Sequence, residues 1–138
     1  MSARLNPYIS FDGTAREALE TYKGIFGGEL AISTYGEFGN AEGGDADKVM
    51  HGNLETPSGF TLMAADNPPH EKFEPGNTMS ISLSGDSGDE LRGYFEKLAE
   101  GGTITVPLEK QMWGDEFGMC IDRFGIAWMV NIVGAPQS

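Results

Sequence analysis

The sequence is poor in cysteine, in long apolar segments and in targeting signals. Cys120 is the only cysteine among 138 residues, so an internal disulfide is excluded and a cytoplasmic location is predicted. No segment approaches the roughly 20 consecutive apolar residues that a membrane-spanning helix needs. The opening letters MSARLNPYIS contain neither an apolar core nor a small-residue cleavage site, so no signal peptide is predicted. We therefore expect a single soluble domain that has no membrane partner.

The chain is also poor in positive charge. It has 9 Lys and Arg residues against 21 Asp and Glu residues, which gives a formal net charge of -12 at pH 7. The cations are scattered, so they form no stripe that would neutralise a phosphate backbone, and nucleic acid is not an expected partner. The acidic excess favours solubility and would steer cationic ligands toward the surface.

The sequence does contain an internal repeat. A shift of 72 positions aligns matching residues, namely Ile9 with Ile81, Ser10 with Ser82, Gly13 with Gly85 and Leu19 with Leu91. Each copy begins with a segment that alternates apolar and polar residues, NPYISF or NTMSISL, as a half-buried strand does. Apolar residues at helical spacing follow in both copies. Such self-similarity predicts a fold of two like modules.

Both predicted helices carry start and stop signals. Each start has the spacing of a capping box, in which side chains satisfy backbone donors: Thr14 with Glu17, and Ser87 with Glu90. The glycine pairs at 27–28 and 101–102 suit left-handed helix ends.

Three further strands are predicted after each helix. They cover Glu29–Phe38, Asp47–Thr56 and Phe60–Ala65 in copy one, and Thr103–Glu109, Glu116–Asp122 and Ile126–Ile132 in copy two. The chain is thus predicted to be α+β, with module one at 1–66, a Pro-rich connector at 67–77 and module two at 78–133. The last two strands are interpreted as a structural hairpin. Within it Cys120 is expected to be a buried, unreactive thiol, and Trp128 to pack on a helix.

Four segments carry a resemblance to a known family. They are NPYISFDGTAREALETYKGIFGGE, VMHGNLE, EPGNTMSISLSGD and MWGDEFGMCIDRFGIAWMVNI. They resemble the PhnB-like branch of the glyoxalase/bleomycin-resistance/extradiol-dioxygenase superfamily, the vicinal oxygen chelate proteins. The resemblance covers essentially the whole chain. It implies two βαβββ modules that curl into an eight-stranded open cup, often completed in a homodimer.

The superfamily's usual chemistry places a divalent ion in that cup, on His, Glu or Gln side chains of the first and last strands. Here the corresponding positions carry other residues: Asn6, Pro7 or Tyr8, then Thr78, Met79 or Ser80, and Met63 and Met129 on the last strands. A thioether is a poor ligand for such ions, so no metal or other cofactor is expected. The resembled family also carries a methyltransferase label, which the sequence does not support, because no glycine-rich loop typical of a methyl-donor site follows the first strand.

The polar strand faces supply the candidate ligand pocket. If Met50 and Leu54 pack on the helix, the other face of VMHGNLE looks into the cup. The predicted lining comprises Tyr8, Ser10, His51, Asn53, Glu55, Met63, Ser80, Trp113 and Met129. Among these His51 is also able to transfer protons near neutral pH. The alternative for each residue is ordinary strand amphipathicity or plain core; for Trp113 it is a dimer contact.

Three functional hypotheses follow from these observations. The first is a small-molecule-binding protein that lacks the usual metal site and acts as a homodimer. The second is a metal-dependent lyase, isomerase or dioxygenase with a displaced site that includes His51 and Glu55. The third is a resistance protein that sequesters a cationic drug between subunits. The sequence favours the first, and it specifies neither the ligand nor a reaction.

Overall fold

A computed structural model describes residues 5–36, 47–67, 72–76 and 78–134. The contacts divide the chain into two compact units, Met1–Pro75 and Gly76–Ser138. The Gly-rich acidic segment at 37–46 and the middle of the predicted connector, at 68–71, lie outside the described residues. Within those residues no helix is long and apolar enough to span a membrane.

Each unit has the order βαβββ. The elements of unit one are β1 (Tyr8–Phe11), α1 (Ala15–Phe26), β2 (Glu29–Thr34), β3 (Val49–Glu55) and β4 (Thr61–Asp66). Those of unit two are β5 (Ile81–Gly85), α2 (Gly88–Ala99), β6 (Thr103–Lys110), β7 (Glu116–Ile121) and β8 (Ala127–Ile132). The sheet orders are β1-β4-β3-β2 and β5-β8-β7-β6. In each sheet the first pair is parallel and the other pairs are antiparallel. The predicted α+β class and the two modules are confirmed.

The strand registers show that the first strands of the two units align two residues away from the alignment that the sequence repeat gives. Met63 and Met129 hold the same place in the two hairpins, because Glu55 pairs with Thr61 as Ile121 pairs with Ala127. Met63 lies beside Tyr8 in the parallel pair, whereas Met129 lies beside Ser82. The counterpart of Tyr8 is therefore Ser82 and not Ser80. A shift of two residues keeps the same strand face, so apolar alternation does not reveal it.

The predicted capping boxes are wrong. Neither Thr14 nor Ser87 makes a side-chain capping hydrogen bond. In unit one Asp66, at the end of β4, takes over this role. Its Oδ1 accepts a hydrogen bond from the backbone N–H of Ala15 and its Oδ2 accepts one from that of Val49, both at 2.9 Å. Because Asp66 is only 3% exposed, this carboxylate links the start of α1 to the start of β3 inside the core.

The predicted left-handed glycine helix ends are only partly right, because the cap of α1 is Gly27 with a ψ of -174° and the cap of α2 is Glu100 with a φ of -59°. Gly27, Gly28 and Gly101 have φ angles of 76°, 109° and 74°. The second glycine of each pair also permits a close backbone approach. A Cβ on Gly28 would lie 2.0 Å from the carbonyl oxygen of Glu55, and one on Gly102 would lie 2.1 Å from that of Ile121. The two modules thus repeat the same contact between a helix exit and a hairpin.

Each helix packs on one face of its own sheet. In unit one the buried residues include Phe11, Leu19 and Leu54, and a Cβ on Gly52 would meet the side chain of Leu19. Val49 is fully buried beside Gly52, whereas Met50 is only half-buried, which corrects the expected packing of Met50. The reason is a register irregularity at the start of β3, which changes the alternation at that point.

The predicted hairpin of β7 and β8 is confirmed, and Asp122 fixes its turn. Asp122 Oδ1 accepts hydrogen bonds from the backbone N–H groups of Phe124 and Ile126, at 2.9 and 3.0 Å. Its Oδ2 accepts one from Nε1 of the fully buried Trp128, at 2.8 Å. Cys120 lies in this hairpin at 1% exposure.

Candidate functional site

The face of the first sheet that α1 does not cover carries six of the nine predicted pocket residues. We call it the helix-free face. Gly52 points toward Leu19 of α1, so its neighbours His51 and Asn53 on β3 point the other way. Met63 pairs with Asn53 on one side and with Tyr8 on the other. The six residues on this face are Tyr8, Ser10, His51, Asn53, Glu55 and Met63.

Tyr8 and His51 contact each other on this face. The Tyr8 hydroxyl and His51 Nδ1 are 3.3 Å apart, and either group can donate, depending on the tautomer of the imidazole. The two ring centroids are 5.8 Å apart and the rings are tilted by 34°. Tyr8 is 53% exposed. The pair therefore has both an aromatic surface and two groups that can donate or accept a hydrogen bond.

Asn53 lies next to this pair in the sheet, and its side-chain oxygen is in an unusual environment. Its Oδ1 is buried and has no hydrogen-bond partner among the described residues. Buried polar atoms almost always have a partner, and leaving one without a partner costs about 1–3 kcal/mol. A hydrogen-bond donor on a bound molecule would remove that cost.

The rest of the helix-free face is rich in hydrogen-bond acceptors. Glu55 lies directly opposite Glu29, and Ser33 lies opposite His51. Among the described strand residues that share this face, none is Lys or Arg. Met63 provides a flexible apolar surface between Tyr8 and Asn53.

The other three predicted pocket residues lie in unit two. Met129 is half-buried on β8, between Ser82 and Met119. Ser80 is exposed and precedes β5, so it is not part of the sheet. Trp113 is 63% exposed in the turn that joins β6 to β7, and its ring centroid is 6.4 Å from that of Phe117.

Two acidic residues at the start of β7 accept hydrogen bonds from other residues of unit two. Asp115 accepts hydrogen bonds from Asn131 Nδ2 at 3.0 Å and from the backbone N–H of Gly134 at 2.8 Å, and these bonds lower its pKa. Glu116 accepts hydrogen bonds from the guanidinium of Arg92, which lower the pKa of Glu116 in the same way. Both carboxylates therefore serve the structure of unit two.

The residues that would hold the superfamily's metal do not fit one. By register the relevant positions carry Tyr8, Ser82, Met63 and Met129, which together provide a phenol, a hydroxyl and two thioethers. No group of three His, Cys, Asp or Glu side chains arranged for a metal ion occurs in the part of the chain that the structure describes. Cys120 offers no thiolate, because burial raises the pKa of its thiol to about 11.

Comparisons with known proteins agree with this architecture. The family model described as 3-demethylubiquinone-9 3-methyltransferase matches residues 3–131. The crystal structure of protein PA1353 from Pseudomonas aeruginosa is 44% identical, with 95% of this chain and 98% of that chain covered and a TM-score of 0.82. A putative 3-demethylubiquinone-9 3-methyltransferase, PhnB protein, from Bacillus cereus is 25% identical, with 95% and 100% covered and a TM-score of 0.76.

A more distant structure shares the fold alone. It is a glyoxylase/bleomycin resistance protein/dioxygenase domain from Frankia sp. EAN1pec, 18% identical, with 98% of this chain and 99% of that chain covered and a TM-score of 0.62. The resemblance drawn from the four sequence segments is confirmed by these matches.

Proposed function

The chain belongs to the PhnB-like family described as 3-demethylubiquinone-9 3-methyltransferase, whose fold is that of the glyoxalase/bleomycin-resistance/dioxygenase superfamily, and from that premise we propose that it binds a small molecule on the helix-free face of unit one. The ligand is bound by side chains of β1, β3 and β4, without the superfamily's metal. The proposed contacts are Tyr8, Ser10, His51, Asn53, Glu55 and Met63, whereas Ser80, Trp113 and Met129 lie in unit two and stay predictions.

The observation that carries this proposal is the unpartnered Oδ1 of Asn53. Without a functional constraint, evolution readily replaces such a residue, because an apolar residue of similar size avoids the unsatisfied hydrogen bond. Residues at functional sites commonly retain features that cost stability. Asn53 therefore marks the place where the ligand donates a hydrogen bond.

The surrounding residues supply the rest of a binding site. Tyr8 and His51, 3.3 Å apart at their polar atoms, are able to fix the orientation of a polar group. Met63 packs against the apolar part of the ligand and adapts to its shape. Since the donor set does not fit a divalent ion, no step of the proposal passes through a metal.

Native mass spectrometry of tag-free protein taken directly from cells tests the proposal. We expect an adduct of constant mass on the natural protein and on Asn53→Asp, which keeps acceptor oxygens at this position. We expect its loss in Asn53→Leu, which keeps the size but removes the acceptor. Glu20→Gln, on the exposed side of α1, is the control and should keep the adduct.

Two results would overturn the proposal. One is an adduct that survives in Asn53→Leu. The other is a divalent ion at about one equivalent that disappears in His51→Ala, since a single bound ion per chain would indicate the displaced metal enzyme instead. The homodimer is part of the proposal and is tested separately, by light scattering of the eluting protein.

A further inference from the structure

A groove runs along the second unit between α2 and β6. Its volume is about 480 Å³, within the range of roughly 300–1,000 Å³ that is typical of small-molecule sites. One side consists of residues of α2 and of its C-cap, which follow one another at helical spacing: Arg92, Phe95, Glu96, Ala99 and Glu100.

The floor of the groove is apolar. Phe95 is 4% exposed at its base, Leu108 is half-buried, and Ile104 is 51% exposed on the strand side. The pairing of β6 with β7 is irregular on both sides of Val106, and Pro107 has no N–H to donate. This irregular edge strand leaves apolar side chains accessible beside the helix.

Arg92, the one Lys or Arg among the described residues that line the groove, is already neutralised. Arg92 donates from Nε to Glu116 at 3.2 Å, and its Nη2 forms a second hydrogen bond to the same carboxylate. Its Nη1 also donates to Asp89 at 3.2 Å. Two carboxylates therefore hold one guanidinium, so Arg92 attracts no further anion.

The other end of the groove carries two exposed carboxylates. Glu96 and Glu100 are exposed and one helical turn apart, and neither side chain forms a hydrogen bond or ion pair within the described ranges. Like charges at this spacing repel each other, and Glu100 also follows the last residue of α2, where the helix dipole disfavours negative charge. A cation placed there would relieve both effects.

We propose that this groove binds an organic cation, an amine carried on an apolar body. The ammonium group lies between Glu96 and Glu100, and the body packs on Phe95, Ile104 and Leu108. A second copy of this chain is a poor occupant of this groove, because a symmetric contact here would place its own Glu96 and Glu100 against the same two carboxylates. The proposal does not depend on the function of the helix-free face.

Three probes share a 3-phenylpropyl group and differ only in their charged or polar end, so they distinguish the contribution of charge to binding from that of the apolar group. They are 3-phenylpropylamine, 3-phenylpropanol and 3-phenylpropionate. Each is titrated into the protein labelled with nitrogen-15, and backbone amide shifts report the location and the dissociation constant. We expect the shifts to cluster on α2 and β6. The amine should bind about three- to tenfold more tightly than the alcohol, which corresponds to one or two exposed ion pairs, and the carboxylate should bind most weakly.

Variants identify the groups responsible. Glu96→Gln combined with Glu100→Gln should make the amine and the alcohol bind equally well, without weakening the alcohol. Ile104→Ser should weaken all three probes. The control removes the same charge from α1, through Glu17→Gln with Glu20→Gln, and should preserve the preference for the amine. The proposal is overturned if the amine binds no better than the alcohol, if its preference survives the double change on α2, or if its shifts lie elsewhere.

Discussion

The two units share a backbone plan but differ sharply on the sheet face that their helices leave uncovered. On β3 that face carries His51, Asn53 and Glu55, whereas the register-equivalent positions on β7 carry Phe117, Met119 and Ile121. The glycine between the first two, Gly52 or Gly118, is kept in both. Since both apolar and polar residues support the same strand, polarity in unit one is not required by the fold. This difference is what the proposed binding role of unit one would explain.

The units also place their buried carboxylates differently. Asp66 lies after the last core residues of β4 and binds two backbone N–H groups, while the equivalent position in β8 is the apolar Ile132. Unit two has Asp122 in the hairpin turn instead, where unit one has Thr56. Each module thus uses one buried acid, at opposite ends of its last strand, to fix the same architecture.

The largest effect is expected for Asp66→Ala. It removes two charge-assisted hydrogen bonds and leaves the N–H groups of Ala15 and Val49 without their acceptor, so the free energy of unfolding should fall by about 3–5 kcal/mol. Denaturant unfolding measures it. Asp12→Ala, in an exposed turn, is the control and should change stability by less than about 0.5 kcal/mol. A loss below about 1 kcal/mol for Asp66→Ala would show that the carboxylate does not anchor α1.

Asp122→Ala should lower the free energy of unfolding by somewhat less, about 2–4 kcal/mol, because water reaches part of the turn. Asp122→Thr installs the residue of the other module. It should recover part of the loss, since a threonine hydroxyl can accept from the turn as Thr56 does from Phe60 at 3.0 Å. The stability that Asp122→Thr does not recover measures the hydrogen bond from the Trp128 indole. In a Trp128→Phe background, the threonine and aspartate forms should therefore be equally stable. If threonine matched aspartate without that change, the indole bond would contribute nothing.

Much of the fold could be predicted from the sequence, because the signals involved are local. Alternation gave the strands, helical spacing gave the helices, and the glycine pairs marked the helix ends. The helix-free face followed from alternation along VMHGNLE. Asp66 was missed because its hydrogen bonds reach residues 51 and 17 positions away, and no local pattern encodes such a contact. An acid that directly follows the apolar run TLMAA is the signal that would have found it.

The two-residue register and the irregular start of β3 were missed for a related reason. Pairing between strands is decided by the whole sheet, and an even shift leaves the apolar pattern intact. The groove beside β6 was also beyond local reasoning, because it depends on irregular pairing around Val106. The sequence thus predicted which strand face carries His51, Asn53 and Glu55. The strand register then showed that Ser82, and not Ser80, is the counterpart of Tyr8.

A smaller effect distinguishes the units by pH. The pKa values of Asp115 and Glu116 are lowered in the folded protein, and the equivalent positions in unit one are Val49 and Met50. A carboxylate with a lowered folded pKa stabilises the protein above its unfolded pKa, and this stabilisation is lost as the pH falls through the folded value. Acid should therefore weaken these hydrogen bonds in unit two.

Carboxyl carbon NMR during an acid titration tests this assignment. Asn131→Ala should raise the pKa of Asp115 and leave that of Glu116 low, because Asn131 is the main cause only for Asp115. Arg92→Gln should do the reverse. If either change moved both carboxylates equally, the two hydrogen-bond systems would not be separate.

The most direct test of the central claim is the stability of Asn53→Met, which gives unit one the residue that unit two has at Met119. The free energy of unfolding is measured after denaturation and refolding have removed any bound ligand. We expect the ligand-free variant to be as stable as the natural protein or more stable by up to about 1 kcal/mol, because it lacks the unpartnered buried oxygen. We also expect that ligand from cells no longer copurifies. A loss of more than about 2 kcal/mol, the size of a broken buried interaction, would instead make Asn53 a structural residue and contradict the claim.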